Sequence, residues 1–359
     1  MELGVKALTR VLVVDDSPLM CKILTNILNC DPQILVAAVA NNGKEAVELV
    51  PRLKPDIITM DMDMPVIDGL EATKQIMASH PTPILIVAST VFKAGMEKVF
   101  KAISHGALDV IDKSELELAG QKRSGEALIA KIKFLTGVSV TDRPRPRLRN
   151  ERAVFDLKAP AIEVSDKIVA IVASTGGPQA LLEILKRLPE DFPCGVVVVQ
   201  HITSGFLSGL VDWLAKECKI KVKIGEDSEA IQPGVAYIAP DNLQMRVADS
   251  GKITLSNEPA CGGHRPSGDI LLESIARAYG KGSVAAILTG MGRDGAMGMK
   301  AVRQLSGKTI AQNEKSCVVF GMPKAAIEMD VIDKVLPLES IAEEIVSMVR
   351  QIFGHAFHT

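Results

Sequence analysis

The chain has 359 residues, of which 47% are apolar and 23% charged, and its formal net charge is -2. That length predicts two domains, and the apolar content is sufficient for two separate cores. A nearly neutral chain with 3% aromatic residues lacks the basic surface and the stacking side chains typical of nucleic-acid-binding proteins, so we exclude nucleic acid as a partner. No apolar run approaches the ~18 residues that span a bilayer, and no export segment follows MELGVKALTR. We therefore expect a cytoplasmic protein without membrane insertion.

The first half of the chain, from Leu8 to about Phe134, alternates short Val/Ile/Leu runs with segments of helical period. The runs LTRVLVV, ILVAAVA, DIITM, PILIVA and ALDVI predict five strands. Five successive βα units predict a doubly wound, parallel α/β sheet.

Acidic residues follow two of these predicted strands. Asp15 and Asp16 come after the first strand, and Asp61 and Asp63 come after the third. Ligands of parallel sheets bind at the carboxyl ends of the strands, and converging carboxylates repel one another unless a cation or protons lie among them. Such an oxygen-rich set suits Mg²⁺, and Lys113, after the fifth strand, would lie on the same edge. The alternative is that these acids are solvated turn residues.

A basic, proline-containing stretch, TDRPRPRLRNER, lies within residues 137–165. No packed core can use this composition, so it predicts an exposed linker. After it, the runs KIVAIVAS, GVVVVQH, VAYIAP, SVAAILTG and KTIAQ predict the strands of a second α/β domain. The predicted boundaries are residues 1–136 for the first domain, 137–165 for the linker and 166–359 for the second domain.

Ser174 ends the first strand of this second domain and is followed by Thr175, Gly176 and Gly177. A serine at the carboxyl end of a buried strand, followed by glycines and a helix, is a common way to present a nucleophile with backbone N–H groups near an oxyanion. The same string also fits a phosphate-binding loop or an ordinary tight turn.

A serine nucleophile needs a base, and the base needs an orienting acid. His201 follows the buried run GVVVVQ and so lies at the same edge as Ser174, whereas His264 lies in the glycine-rich loop CGGHRPSGD. Asp294 follows another strand, and Asp241 in YIAPDN is its rival. Spacing alone leaves both choices open.

Two sets of motifs resemble known families. VLVVDDSPLM, ITMDMDMPVIDGLEA and GALDVIDKS resemble the response-regulator receiver domain, a five-stranded flavodoxin-like fold. The resemblance implies that a histidine kinase phosphorylates Asp61, that Asp15, Asp16, Asp61 and the backbone carbonyl of Asp63 bind Mg²⁺, and that Lys113 contacts the phosphoryl group. Ala88 stands where receivers usually carry a small hydroxyl residue. Either the register shifts by one and Ser89 is the switch residue, or the switch is weaker than usual.

Over nearly the whole chain, the strings IVASTGGP, VVQHITSGF, AYIAPDN, HRPSGD, TGMGRDGAMG and CVVFGMPKAA resemble the chemotaxis protein-glutamate methylesterases of the CheB family. The resemblance implies a mostly parallel α/β serine-hydrolase domain with Ser174 as nucleophile, His201 as base and Asp294 as its orienting acid. It also implies oxyanion donors at the backbone amides of Thr175 and Met291. Arg293 stands where some family members have asparagine.

This resemblance implies hydrolysis of glutamate methyl esters on chemoreceptor helices, together with deamidation of receptor glutamines, and neither reaction needs a cofactor. In the family, the unphosphorylated receiver covers the hydrolase site and phosphorylation loosens that interface. The alternative is a catalytically silent scaffold that binds the receptor under control of phosphorylation. A nucleotide-binding output domain is disfavoured, because the chain has no Gly-x-x-x-x-Gly-Lys-Ser/Thr string.

Overall fold

A computed structural model of the chain describes residues 8–89, 93–117, 122–138 and 166–354. The chain divides into two compact units, Met1–Arg145 and Pro146–Thr359. Residues 139–165, which make up nearly all of the predicted linker, lie outside the described residues.

The first unit contains the predicted five-stranded parallel sheet, with strand order β2-β1-β3-β4-β5. Its strands are β1 (Thr9–Val14), β2 (Ile34–Ala40), β3 (Ile57–Met60), β4 (Ile84–Ala88) and β5 (Asp109–Asp112). Its helices are α1 (Pro18–Asn29), α2 (Gly43–Leu53), α3 (Gly69–Ser79), α4 (Lys93–Ser104), α5 (Lys113–Glu117) and α6 (Lys122–Leu135).

Side-chain caps fix where the first three helices begin. Ser17, Asn42 and Asp68 precede α1, α2 and α3 in extended conformation, and each side chain accepts a backbone N–H from the first turn. These caps satisfy amides that the helix itself leaves unpaired. Because α1 and α3 begin four or more residues after β1 and β3 end, the intervening loops are free to carry Asp15, Asp16 and the Asp61–Asp63 segment.

The second unit contains a seven-stranded parallel sheet with strand order β14-β13-β12-β6-β7-β9-β8, and a separate antiparallel hairpin of β10 and β11. Its strands are β6 (Ile168–Ala173), β7 (Gly195–Gln200), β8 (Lys221–Ile224), β9 (Val235–Ile238), β10 (Gln244–Val247), β11 (Ile253–Ser256), β12 (Ser283–Ile287), β13 (Lys308–Gln312) and β14 (Lys334–Leu336). Its helices are α7 (Gly177–Leu185), α8 (Leu207–Glu217), α9 (Gly268–Tyr279), α10 (Ala296–Gln304), α11 (Met322–Glu328) and α12 (Leu338–Gly354).

The predicted mostly parallel α/β class is confirmed, and the strand-like runs of the sequence correspond to β6, β7, β9, β12 and β13. The sequence did not reveal β8 and β14, which are the two edge strands, or the hairpin. β8 and β14 are only four and three residues long, carry lysines and are partly exposed, so they lack the continuous apolar run of a buried strand.

The central strands of this sheet position the candidate site. All six residues of β6 and all six of β7 are buried, and the two strands pair in register from Ile168 with Gly195 to Ala173 with Gln200. The loops that follow β6, β7 and β12 therefore leave the same edge of the sheet, where ligands of parallel sheets bind.

Candidate functional site

An acidic pocket lies at the carboxyl ends of the strands of the first unit. One carboxylate oxygen from each of Asp15, Asp16 and Asp61 lies within 4.8 Å of the others. Lys113 Nζ lies 2.8 Å from Asp15 Oδ2 and 2.9 Å from Asp61 Oδ1. Three carboxylates against one ammonium leave a net negative charge in a largely buried place, and hard oxygen ligands of this kind fit a divalent cation such as Mg²⁺.

Burial dominates the electrostatics of Asp61, which is only 5% exposed. Loss of solvation raises the pKa of Asp61, and repulsion from Asp15 adds to this rise, although Lys113 and the amide of Met62 oppose it. The pKa of Lys113 is also raised, because its contacts with Asp15 and Asp61 outweigh the effect of its own burial.

The remaining predicted residues of this pocket are placed as follows. The Asp63 carboxylate does not join the cluster, since it is exposed and lies 3.1 Å from Lys98 Nζ. Asp63 nevertheless lines the same pocket, as do Ala88, the last residue of β4, and Ser89, which follows it. The backbone carbonyl of Asp63 as a ligand and Ser89 as the switch residue therefore stay predictions.

The Ser174 turn is held from both sides by hydrogen bonds to its backbone. Its amide donates to Thr289 O over 3.0 Å, and its carbonyl accepts the amide of Gly177 over 2.7 Å. Gly176 adopts a φ of +78°, where a side chain would strain the backbone and meet Val318. The half-buried serine thus lies at a fixed turn between β6 and α7.

His201 and Asp294 are brought together at the same edge. The His201 amide donates to Ala173 O over 2.9 Å, which places His201 beside the end of β6. His201 Nε2 lies 2.9 Å from Asp294 Oδ2. This is an ion-pair distance without the alignment of a straight hydrogen bond, and both ring nitrogens are buried and lack an aligned partner among the described residues.

Asp294 is buried but surrounded by donors at the start of α9. Its Oδ1 accepts the Ser267 hydroxyl over 2.7 Å and the Asp269 amide over 3.2 Å, and its Oδ2 accepts the Gly268 amide over 2.6 Å. Burial alone would raise the pKa of Asp294, but the nearby His201 and these donors outweigh it and lower the pKa to about 2. Asp294 is therefore ionised at neutral pH.

The two alternatives from the sequence take other positions. The Oδ2 of Asp241 accepts the amide of Gly205 over 3.0 Å, whereas the carboxylate at ion-pair distance from His201 is that of Asp294. The His264 ring stacks on the His201 ring, with centroids 4.1 Å apart and planes 8° from parallel. Burial and the neighbouring His201 lower the pKa of His264, although Asp294 acts in the opposite direction. A largely neutral imidazole therefore covers one face of His201.

The loop after β12 also approaches the serine. A Cβ built on Gly290 would lie 2.7 Å from Ser174 Cβ, so Met291, the next residue, directly follows this close contact. Arg293 is exposed, and its carbonyl accepts the amide of Ala296 over 3.1 Å. Its side chain therefore lies next in sequence to Asp294 without entering the buried carboxylate site.

Comparisons with known proteins agree with both units. Residues 11–119 match the family model described as the response regulator receiver domain, and residues 169–345 match the one described as CheB methylesterase. A protein of Syntrophus aciditrophicus (strain SB) named protein-glutamate methylesterase/protein-glutamine glutaminase 1 is 41% identical over 346 residues, which is 96% of this chain and 99% of that protein. The chain belongs to the CheB methylesterase family.

Further relatives of this CheB family member agree. A protein-glutamate methylesterase/protein-glutamine glutaminase of Pyrococcus abyssi (strain GE5 / Orsay) is 40% identical and covers 96% of this chain and 95% of its own length. The crystal structure of the Thermotoga maritima CheB methylesterase catalytic domain is 41% identical with a TM-score of 0.51, and it covers 52% of this chain and all of that chain. Among the described residues of this family member, no helix is long and apolar enough to cross a membrane.

Sequence reasoning missed three features of the CheB site. It did not find the stacking of His264 on His201 or the hydrogen bond from the Ser267 hydroxyl to Asp294, because both depend on how the loop before α9 folds. It also assigned nothing to Gln200. The available signal was a polar residue closing the fully apolar run GVVVV immediately before a candidate base.

Proposed function

We propose that this protein hydrolyses glutamate methyl esters on the cytoplasmic helices of chemoreceptors, releases methanol, and also deamidates receptor glutamines. The observation that carries this proposal is the His201–Asp294 pair beside the Ser174 turn, in a chain with 41% identity to a named methylesterase/glutaminase across 96% of its length. Both reactions convert a neutral side chain into a glutamate carboxylate, so the same acyl chemistry serves both.

In the first half-reaction, Ser174 Oγ attacks the ester carbonyl carbon while His201 accepts the hydroxyl proton. Because Nε2 faces Asp294, Nδ1 is the nitrogen that takes this proton. The backbone amides of Thr175 and Met291 stabilise the oxyanion. The bond to methoxide then breaks as His201 returns the proton, methanol leaves, and the glutamyl group stays bound to Ser174.

In the second half-reaction, His201 takes a proton from water, and the resulting hydroxide attacks the acyl carbon. Ser174 Oγ leaves and recovers its proton from His201, which releases the glutamate product. Asp294 has a pKa of about 2 and therefore remains ionised throughout the reaction at neutral pH. Its negative charge stabilises the protonated His201. With a glutamine substrate, the same steps release ammonia in place of methanol.

The receiver half regulates this activity. We assign Asp61 as the residue phosphorylated by a chemotaxis histidine kinase, Lys113 as the phosphoryl contact and Ser89, beside Ala88, as the switch residue. A bound Mg²⁺ would supply positive charge to the carboxylates and the phosphoryl oxygens. Its ligands would be Asp15, Asp16, Asp61 and the backbone carbonyl of Asp63.

We assign the regulatory and catalytic roles to separate domains. We assign residues 1–136 to the receiver, 137–165 to the linker and 166–359 to the catalytic domain, and we place the protein in the cytoplasm, where receptor helices and kinase are accessible. A near-complete switch would need ~5.5 kcal/mol of differential stabilisation, so we expect phosphorylation to activate the esterase only in part.

Methanol release from methylated chemoreceptor tests the enzymatic assignment. The wild type should release methanol, and Ser174→Ala should be slower by ~10⁴-fold or more. Ser208→Ala, in α8, is a control with the same change of side chain. Equal background release by the wild type and Ser174→Ala would contradict the esterase and favour the receptor-binding scaffold.

A further inference from the structure

The Gln200 side chain connects the backbones of the proposed nucleophile and base. Its Nε2 donates to Ser174 O over 2.8 Å and to His201 O over 2.7 Å. Gln200 is 3% exposed and is the last residue of β7, where it pairs with Ala173, the last residue of β6. One amide group therefore joins the two strand ends from which Ser174 and His201 project.

The chemistry of the two partners fixes how this amide is oriented. Both partners are carbonyl oxygens, which only accept hydrogen bonds, so the NH₂ group must face them. Two N–H bonds use both of its donors. The other atom, Oε1, is buried with no hydrogen-bond partner among the described residues. An unpaired buried acceptor costs free energy, which indicates that this position retains its amide for the two donor bonds.

The neighbouring helix is shaped to admit this side chain. A Cβ built on Gly177 would lie 2.0 Å from Gln200 Oε1 and 2.8 Å from its Cδ. Only glycine leaves this room at the start of α7. Gly177 also donates its amide to the same Ser174 carbonyl that Gln200 bonds. Gln200 and Gly177 therefore hold the Ser174 carbonyl together.

We propose that Gln200 is a positioning residue that sets the distance and orientation between Ser174 and His201 for proton transfer. This inference rests on the proposed hydrolase function. Proton transfer from Ser174 to His201 requires hydrogen-bond geometry, and a displacement of about 1 Å at a reacting group can reduce the rate ~10²-fold. Gln200 acts on the rate of this step and not on substrate affinity.

The first test compares the steady-state kinetics of Gln200→Met with the wild type. Methionine has similar length and no donors, so both bonds to the carbonyls are lost without a new charge. We expect kcat for methanol release to fall between ~10- and ~10²-fold with KM nearly unchanged. Reaction of Ser174 with a fluorophosphonate should slow by a similar factor.

Thr309→Val is the matched control for loss of a buried polar bridge. Thr309 is fully buried in β13, and its hydroxyl donates to Val331 O over 2.8 Å and accepts the amide of Asp333 over 2.9 Å. It lies near the amino end of its strand, away from the edge that carries Ser174. The change should lower the melting temperature and leave kcat unchanged.

Gln200→Glu gives a second test, in which the loss of activity should depend on pH. An ionised glutamate would face two carbonyl oxygens and repel them, whereas a protonated one restores one donor. Gln200 lines a cleft with the titratable or charged groups His201, His264, Asp241 and Arg265, and Asp294 lies against His201. Dividing by the wild-type activity at each pH removes the pH dependence that the two proteins share. The activity of Gln200→Glu relative to wild type should therefore rise as the pH falls.

The outcomes are distinct. A reduced kcat in Gln200→Met but not in Thr309→Val, with a rising relative activity of Gln200→Glu at low pH, supports the positioning role. Wild-type kcat in Gln200→Met overturns it, and so does a relative activity of Gln200→Glu that does not change with pH. If Gln200→Met does not fold, the pH dependence of Gln200→Glu decides. A wild type that releases no methanol would instead contradict the proposed function.

Discussion

The receiver and the catalytic unit each bury an aspartate at the carboxyl edge of a parallel sheet. The pKa of one carboxyl is raised and the pKa of the other is lowered. Asp61 is 5% exposed and Asp294 is 4% exposed. Burial raises the pKa of Asp61. The same burial acts on Asp294, yet His201 and the donors around it lower its pKa to about 2.

The difference lies in the partners. Asp61 receives one amide, from Met62 over 2.7 Å, shares Lys113 with Asp15, and is repelled by Asp15. Asp294 receives two amides and a hydroxyl at a helix start, and its Oδ2 lies 2.9 Å from His201 Nε2. Similar burial thus gives a carboxyl with a raised pKa, in an acidic cluster compatible with a divalent cation, in one unit and a carboxylate that is ionised at neutral pH in the other.

The largest effect should come from removing the charge of Asp294. Asp294→Asn keeps the size of the side chain but no longer stabilises protonated His201, so kcat should fall by ~10³- to 10⁴-fold. Methanol release measures this directly. Asp241→Asn, which retains an acceptor for the amide of Gly205, should lose less than about tenfold, and a comparable loss in both variants would contradict the assignment of Asp294.

The low pKa of Asp294 also predicts a dependence of stability on acid. A carboxyl with a depressed folded-state pKa contributes stability above its ordinary pKa of 3.8 and loses it as the pH falls toward about 2. The free energy of unfolding of the catalytic unit should therefore decline over this range more steeply in the wild type than in Asp294→Asn. The chain has one tryptophan, Trp213 in α8, so urea titrations followed by its fluorescence report on this unit. Parallel pH dependence in both proteins would count against the shift.

The contribution of Asp61 to folding stability should change with pH in the opposite direction to that of Asp294. A carboxyl with a raised folded-state pKa favours folding when protonated, and this contribution is lost as the pH rises. At neutral pH, Asp61→Asn should therefore raise the melting temperature of the receiver by a few degrees. Added Mg²⁺ should stabilise the wild type more than the variant. Calorimetry measures both changes, and a destabilised variant without Mg²⁺ would show that Lys113 outweighs burial.

The smallest effect should come from His264. In His264→Phe an aromatic ring of similar size still covers one face of His201. The kcat for methanol release should therefore fall only a few-fold. Steady-state methanol release measures the change. His264→Ala, which removes the stacked ring, should lose more activity than His264→Phe.

The comparison also shows what the sequence could reveal. The parallel α/β class and the placement of Ser174, His201 and the acids after β1 and β3 at strand ends follow from apolar runs, because the carboxyl ends of parallel strands lie at the same edge of a sheet. The order of the strands did not follow from the sequence. The choice of Asp294 over Asp241 did not follow from spacing. It depends on the loop before α9, whose amides and Ser267 surround one carboxylate and not the other. Stacking of His264 has the same origin.

Gln200 shows a different limit. A glutamine at a strand end satisfies no periodic pattern, and its two carbonyl partners are backbone atoms that the residue types do not encode. Ala88 and Ser89 are the corresponding case in the receiver. Both line the acidic pocket, and their order in the sequence did not decide which one acts as the switch residue.

The most direct test of the account is methanol release from methylated chemoreceptor by the wild type, Asp61→Asn and Ser174→Ala, each with and without a small-molecule phosphodonor and Mg²⁺. The account predicts that the phosphodonor increases the rate several-fold in the wild type, that it has no effect on Asp61→Asn, and that Ser174→Ala stays at background in both conditions. Equal rates with and without phosphodonor in the wild type would contradict control of the catalytic unit by the receiver.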